Sequence, residues 1–242
     1  DRLIASLDAL LPQLDAVIVA DQVEEKDCGV ITTRVAEAIA ERARRVGRGL
    51  GVAGQGAGGR DTSAEPLPSP LSPLPSSSRP QLLTPNSQLP SVLFWADSRR
   101  RIGQFRSVIV KPNQFEAVGW ENAPPDASVG IDELVRAVTR LREQNGAPVV
   151  ATRGPEGMLV SDPEPTLVPG VRVPGPIDST GAGDSATAGT VLALAAGATL
   201  PEAAVVGNLV ASITVQQLAT TGVARPDQLL PRLAMWREQT RC

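Results

Sequence analysis

Residues able to do chemistry are densest between positions 178 and 185, in Asp178-Ser-Thr-Gly-Ala-Gly-Asp-Ser185. The stretch combines two acids, two glycines and hydroxyl side chains. Its glycines let the backbone turn with N–H groups pointing one way. A long run of small residues follows and predicts a helix, whose start adds unpaired N–H groups and the positive end of a dipole. Together these make an anion site, and phosphate is its usual occupant. Asp184 stands beside that site, where a bare carboxylate is repelled by phosphate. The natural task for such a group is to accept a proton from an attacking hydroxyl.

Composition narrows the choice of base. The 242-residue chain has no histidine and no tyrosine. Ser-His and Cys-His nucleophilic catalysis and histidine-ligated zinc are therefore excluded. Any general base is Asp, Glu or Lys. Aromatic residues make up 2% of the chain, too few for a base-stacking platform, and the net charge of −3 implies no general attraction to nucleic acid or to membranes. Cys28 and Cys242 form neither a disulfide framework nor a metal pattern, so a reducing, cytoplasmic setting is the simple reading. No apolar run is long enough to span a bilayer, and no secretory signal opens the sequence.

The elements that must position these residues follow an α/β rhythm. Apolar residues at Leu3, Ile4, Leu7, Leu10 and Leu11 have helical spacing. Ala16 to Ala20 reads as a buried strand ending at Asp21, and Thr32 or Thr33 caps a helix running to about Arg45. Val92 to Ala96 is a strand ending at Asp97, and Val108 to Val110 is a short strand stopped by Pro112. Asn113 is placed to cap a helix with Glu116 in its first turn, which by itself accounts for both residues. Ile131 to Gln144 is amphipathic and Gly146 suits its C-terminal cap. Pro148 to Thr152 and Met158 to Val160 flank the turn Arg153-Gly-Pro-Glu-Gly157 in a hairpin-like unit. Leu167-Val168 and Val171 to Val173 are expected to be further short strands, the latter leading into the Asp178 stretch. Helices are expected to about Ala196, over Pro201 to Thr220, and over Pro226 to Glu238. Asp21, Asp97, Asn113, Thr152 and the Asp178 loop thus fall at strand ends. In an open parallel sheet these line one edge, and ligands bind there. Arg99, Arg100, Arg101 and Arg106 follow the second strand, as a solvated basic face or with one or two reaching an anionic substrate.

Gly47 to Pro90 breaks the rhythm. Gly-rich and then Pro/Ser-rich sequence without apolar periodicity buries too little surface to offset chain entropy. It reads as a disordered insertion where about 2–6 connecting residues would serve. Residues 1–46 and 91–242 then form the folded parts. Gly54-Gln-Gly-Ala-Gly-Gly59 within the insertion fits G-x-G-x-x-G but lacks a preceding strand and a following helix, so it carries no dinucleotide reading. Gly181-Ala-Gly-Asp-Ser-Ala186 fits the related G-x-G-x-x-A pattern. Its partner acid would be Glu202, which lies inside a helical pattern rather than at a strand end.

Three of these segments carry a family resemblance. Asp178-Ser-Thr-Gly-Ala-Gly-Asp-Ser-Ala-Thr-Ala-Gly189 resembles the C-terminal signature of the ribokinase-like (PfkB) sugar kinases. Lys111-Pro-Asn-Gln-Phe-Glu116 resembles that family's N-x-x-E segment, and Thr152-Arg-Gly-Pro-Glu-Gly157 its nucleotide-side turn. The three occur in the family's order. Trp95-Ala-Asp-Ser-Arg99 and the Thr152 turn look most like heptose-phosphate kinase-like members.

The resemblance implies a three-layer α/β fold with a central, mostly parallel sheet. It implies ATP-dependent phosphorylation of a sugar or sugar phosphate. Asp184 would be the base, and the N–H groups of Gly181, Ala182 and Gly183 the anion hole. Asn113 and Glu116 would place Mg²⁺ and phosphate, largely through water. Thr152, Gly154 and Gly157 would border the nucleotide, with Asn208 near the adenine. Asp178 and Thr180 match positions that hold a monovalent cation such as K⁺ in many members. Arg153 would either meet a phosphate or lie at the surface. Homodimers of the family often form through a lid. The glycine-bearing sugar segment and the lid strands that open the family's domain have no counterpart here, so the acceptor half is expected to be absent. Two readings follow: a sugar kinase of which this chain is a C-terminal part or variant, or a non-catalytic remnant that binds nucleotide or a partner.

Overall fold

A computed structural model of the chain describes residues 1–46, 92–124 and 127–241. The expected insertion and its glycine pattern lie outside the described residues. The elements run α1 (Arg2–Leu10), β1 (Ala16–Asp21), α2 (Thr33–Val46), β2 (Leu93–Ser98), β3 (Ile109–Val110), α3 (Gln114–Val118), α4 (Ile131–Asn145), β4 (Val150–Thr152), β5 (Met158–Val160), β6 (Thr166–Val168), α5 (Ala182–Ala195), α6 (Leu200–Thr214) and α7 (Pro226–Thr240). Of the two candidate caps for α2, Thr32 serves: its Oγ1 accepts the Val35 N–H at 3.3 Å.

β1, β2 and β3 are parallel neighbours, with Ala16 opposite Leu93, Asp21 opposite Ser98 and Ala96 opposite Val110. β4, β5 and β6 form an antiparallel meander. Isolated parallel bridges, Val110 to Val149 and Asn113 to Thr152, link the two three-stranded sheets side by side, with β3 next to β4. Pro112 and Pro148 lie within this junction. Their nitrogens cannot donate to a ladder, so the pairing reduces to bridges supported by Val110 N–H to Pro148 O and Thr152 N–H to Pro112 O.

Alternation along the strands divides the core. Phe94, Ala96, Val110, Ala151 and Leu159 face one layer with Ile39 of α2 and Leu134 and Val138 of α4. Leu93, Trp95, Ile109, Val150, Met158 and Val160 face the other with Val191 of α5 and Ala203 of α6. A sheet covered on both faces explains why β2 reads as a continuous apolar run. Glycines on both helices let α5 and α6 come close: a Cβ at Gly189 of α5 would lie 2.9 Å from Val210, and one at Gly207 of α6 2.2 Å from Thr190 Oγ1. The result is the three-layer α/β architecture with a mostly parallel sheet.

Two expected elements differ. Val171 to Val173 is not a strand. Pro169 and Pro174 bracket it, and Gln239 of α7 takes the place of a neighbouring strand, receiving the Arg172 N–H and donating to the Arg172 carbonyl. α6 stops at Thr214 rather than Thr220. The Val215 carbonyl accepts from Asp178 N–H, and Gln217 turns back to bond both the N–H and the carbonyl of Val223.

Candidate active site

The turn into α5 is set by Gly181, whose φ of 73° is left-handed, and no side chain caps the helix start. Asp178 holds the turn from one side. Its carboxylate accepts the Thr180 N–H at 2.9 Å and the Ala219 N–H at 3.1 Å. These bonds, the Thr180 N–H foremost, pull its pKa below the ordinary aspartate value. The Ala182 N–H donates to Ser179 O at 3.1 Å. Of the three N–H groups expected to line an anion hole, that of Ala182 is used by the turn, while those of Gly181 and Gly183, like that of Asp184, have no protein acceptor among the described residues. Asp184 is exposed in the first turn of α5.

The ends of β2 and β3 supply a second group. The Asn113 side-chain oxygen accepts the N–H groups of Phe115 and Glu116, both at 2.9 Å, and Glu116 Oε2 accepts the Asn113 N–H at 2.8 Å. The cap expected from sequence is thus a full capping box. It leaves the Asn113 amide donors and Glu116 Oε1 for a ligand. Burial pushes the Glu116 carboxyl above its ordinary range, against the pull of the Asn113 N–H; the Asp97 charge adds to the rise, and Lys111 and Arg99 oppose it.

Lys111 was not singled out by sequence. Its side chain is 6% exposed and its ammonium lies 2.8 Å from Asp97 Oδ2. A Cβ added at Gly183 would lie 3.6 Å from the same ammonium. The signal was readable in the register. Ala96 opposes Val110, so Asp97 and Lys111, opposite in charge, are the next residues along two neighbouring strands.

A cleft of about 360 Å³ joins the nucleotide-side residues. Thr152, Gly154, Gly157, Gly183 and Asn208 all line it, with Val173, Ile177 and Val215 as apolar wall. Asn208 also has a structural task, its amide donating to Val168 O at 3.1 Å and Pro169 O at 3.0 Å. Asn113, Glu116, Asp178, Thr180 and Asp184 lie outside the lining, although Asn113 bridges to Thr152 within the sheet.

Several expected ligand contacts prove structural. Asp21 is 2% exposed and accepts from Ser98 Oγ at 2.7 Å, Arg101 at 2.6 Å and Gln104 at 3.3 Å, so it closes the core rather than facing a ligand. Arg100 pairs with Glu24, and Arg106 donates to the carbonyls of Gly103 and Phe105. Arg99 is the arginine of that cluster whose charge reaches Glu116. Arg153, its side chain 10% exposed, pairs with Glu156 three residues on in the same turn, at 2.5 Å. Glu202 forms a capping box with Thr199 at the start of α6. It ends no strand, and no strand leads directly into Gly181, so the dinucleotide pattern at 181–186 lacks its required setting.

Comparison with known proteins bears on the family and the fold. A family model described as pfkB family carbohydrate kinase matches residues 95–227. The bifunctional protein HldE of Azotobacter vinelandii is 39% identical over 132 residues, covering 54% of this chain and 27% of its own length. The HldE of Pseudomonas aeruginosa is 40% identical over 92 residues, covering 38% and 19%. The chain thus spans between 19% and 27% of these relatives' length. Among solved structures, Escherichia coli phosphofructokinase-2 in complex with potassium superposes with a TM-score of 0.60 at 17% identity, over 100% of this chain and 63% of that one. Arabidopsis thaliana ribokinase complexed with ribose and ATP gives a TM-score of 0.50 at 20% identity, over 59% and 47%. At these identities the structures establish the fold.

Proposed function

This chain belongs to the pfkB family of carbohydrate kinases, and on that premise we propose that it carries the machinery for moving the terminal phosphoryl group of ATP to a hydroxyl of a sugar or sugar phosphate, with Asp184 as general base. The observation that carries the reading is the single cleft that runs from the Thr152 turn and Asn208 to Gly183, the residue before Asp184.

In that reading the acceptor hydroxyl gives its proton to the Asp184 carboxylate. Its oxygen bonds to the terminal phosphorus as the bond to the bridging oxygen breaks, leaving ADP. The N–H groups of Gly181 and Gly183 and the positive end of α5 face the charge on the transferred group. Phosphoryl transfer needs positioning and charge stabilisation more than covalent help. An aspartate suffices because proton loss can come late, when the attacking oxygen is already acidified.

Mg²⁺ would supply positive charge to offset that of the phosphates. Among the described residues no group of three His, Cys, Asp or Glu side chains could cage a metal ion. Glu116 would hold the ion through water and the Asn113 amide would donate to phosphate, the capping box using only Glu116 Oε2 and the Asn113 side-chain oxygen. A K⁺ site at Asp178 and Thr180 has less behind it, since both Asp178 oxygens already accept backbone N–H groups.

The test is sugar-dependent ATP consumption across a panel of sugars and sugar phosphates, with Asp184→Asn as control. The variant should bind ATP as the parent does and lose transfer by about 10²-fold or more. Near-normal turnover would remove Asp184 from the role. A parent that binds ATP but consumes it with no acceptor would favour a binding module.

A further inference from the structure

We propose that the groove between α2 and the 100–106 segment is a second anion site, shaped for a small metabolite that carries two or more phosphate groups. The groove encloses about 770 Å³, the size of a small-molecule pocket. Five cations line it, Lys26, Arg44, Arg100, Arg101 and Arg106, against the acids Glu24 and Glu37. Glu24 is already paired with Arg100 at 3.1 Å. The chain as a whole carries a net charge of −3, so this positive groove runs against the average of the molecule.

Three observations point to a ligand rather than a solvated face. First, Arg44 and Arg106 are held together. Arg44 Nη1 donates to Ser107 Oγ at 3.5 Å, and Arg106 Nη1 donates to the carbonyls of Gly103 and Phe105 at 2.6 and 2.7 Å. Neither guanidinium pairs with a carboxylate among the described residues. Neighbouring like charges repel. An oxyanion between them relieves the repulsion and takes the Nε and Nη2 donors that remain. Second, Arg101 lines the same groove with its side chain only 9% exposed. Its Nη2 serves Asp21 and the Ile31 carbonyl, while Nε and Nη1 are buried without a partner. A buried donor without an acceptor is costly, and an anion seated in the groove supplies one. Third, the wall is preformed. Arg100 and Ser107, which bracket it, have φ of 60° and 62°, uncommon for residues with a Cβ, and the Ser107 N–H is held by Asn145 O at 2.7 Å.

The groove is separate from the catalytic turn. α2 covers the sheet face that carries Phe94 and Val110, and α5 covers the other. α2 ends beside the start of β2, where the Val92 N–H donates to Val46 O at 3.0 Å, and Arg106 lies just before β3. Arg44, in the last turn of α2, and Arg106 thus sit at the edge of the sheet opposite to Asn113. From Thr33 to Arg44 the helix rises about 16 Å. The groove therefore offers one cationic end at Arg44 and Arg106 and another at Lys26 and Arg100, which suits a ligand with separated phosphates.

Inorganic pyrophosphate is the probe, titrated calorimetrically into the 242-residue chain in magnesium-free buffer against sodium chloride of equal ionic strength. Saturable binding is expected. Arg44→Ala/Arg106→Ala should weaken it about 10- to 100-fold, the loss of charge-assisted contacts. Both side chains belong to exposed residues, so the unfolding midpoint of that variant should match the parent. Arg44→Lys/Arg106→Lys keeps the charge but not the planar fork and should recover only part of the affinity. Gly183→Ala, across the sheet, should change it less than about twofold. Parental affinity in the alanine variant, loss of binding in Gly183→Ala, or no saturable binding by the parent chain would each overturn the groove site and leave the reading of Asp184 and the nucleotide cleft untouched.

Discussion

Gly157 closes the turn that borders the cleft, and its substitution separates a scaffold role from a ligand role. Its φ of 96° with ψ of −134° lies outside the conformations L-residues adopt. Strain of that kind costs about 1–3 kcal/mol. An added Cβ would lie 2.2 Å from Val168 O, 2.3 Å from Gly170 N and 2.6 Å from Pro169 C. All three are backbone atoms, so no change of rotamer relieves the clash, and displacing the 168–170 segment costs about another 1–3 kcal/mol. Gly157→Ala should therefore lose about 2–6 kcal/mol, much of the stability of a typical domain. In urea this lowers the unfolding midpoint by about 1 M or more. The same displacement strains the Asn208 bonds to Val168 O and Pro169 O, so ATP affinity should fall in any folded fraction. Gly183→Ala is the control. Its methyl meets only Lys111 Nζ, at an ordinary contact distance of 3.6 Å, within a helical turn. It should leave the midpoint unchanged or raise it, by up to about 1 kcal/mol, and still weaken ATP binding by filling the gap beneath the ammonium. A parental midpoint for Gly157→Ala, or equal destabilisation by the two substitutions, would refute this account of the turn.

Two other outcomes test the neighbouring groups. Arg101→Met strands the buried Asp21 carboxylate without its counter-charge and should cost about 3–5 kcal/mol in urea unfolding; an unchanged midpoint together with a raised sugar KM would return Arg101 to a substrate role. For pH, burial holds the folded Glu116 pKa above its unfolded value, so the fold favours the neutral acid, and stability falls as pH rises through the interval just above the ordinary glutamate value. Asp178 and Glu202, whose pKa values are depressed, act below their ordinary values instead: their contribution is present at higher pH and lost as pH falls. Relative to Glu116→Gln, the parent should therefore lose stability across the Glu116 interval, and a constant difference between the two midpoints would contradict the burial.

Local chemistry made much of this legible beforehand. The Asn113 cap, the Gly146 cap, the hairpin after Thr152 and the Gly181 turn each depend on residues within a few positions of one another. What escaped depended on distant partners. The 171–173 segment has the composition of a strand, but its polar groups meet a side chain more than sixty residues away rather than a neighbouring strand. The end of α6 depends on the Asp178 loop, 37 residues earlier than its carbonyl partner Val215. Arg101 and Asp21 looked like ligand-edge residues because both follow strand ends, and only their burial against each other shows the structural use.

Lys111 shows how the two kinds of information combine. Its segment was recognised for Asn113 and Glu116, whose roles are set by the four-residue capping box they close. The lysine's role is set by the sheet. Parallel pairing of β2 with β3 brings Asp97 beside Lys111, and the next bridge outward, Asn113 to Thr152, ties the same segment to the nucleotide-side turn. One strand continuation thus places a cation by α5, a cap that frees an amide and a carboxylate oxygen, and the rim of the cleft. Inserting or deleting a single residue between Val110 and Asn113 would reverse which side of the sheet each of these faces. The spacing from Lys111 to Glu116 is therefore a constraint on the whole site, because the sheet register and the helix cap must both be satisfied by the same six residues.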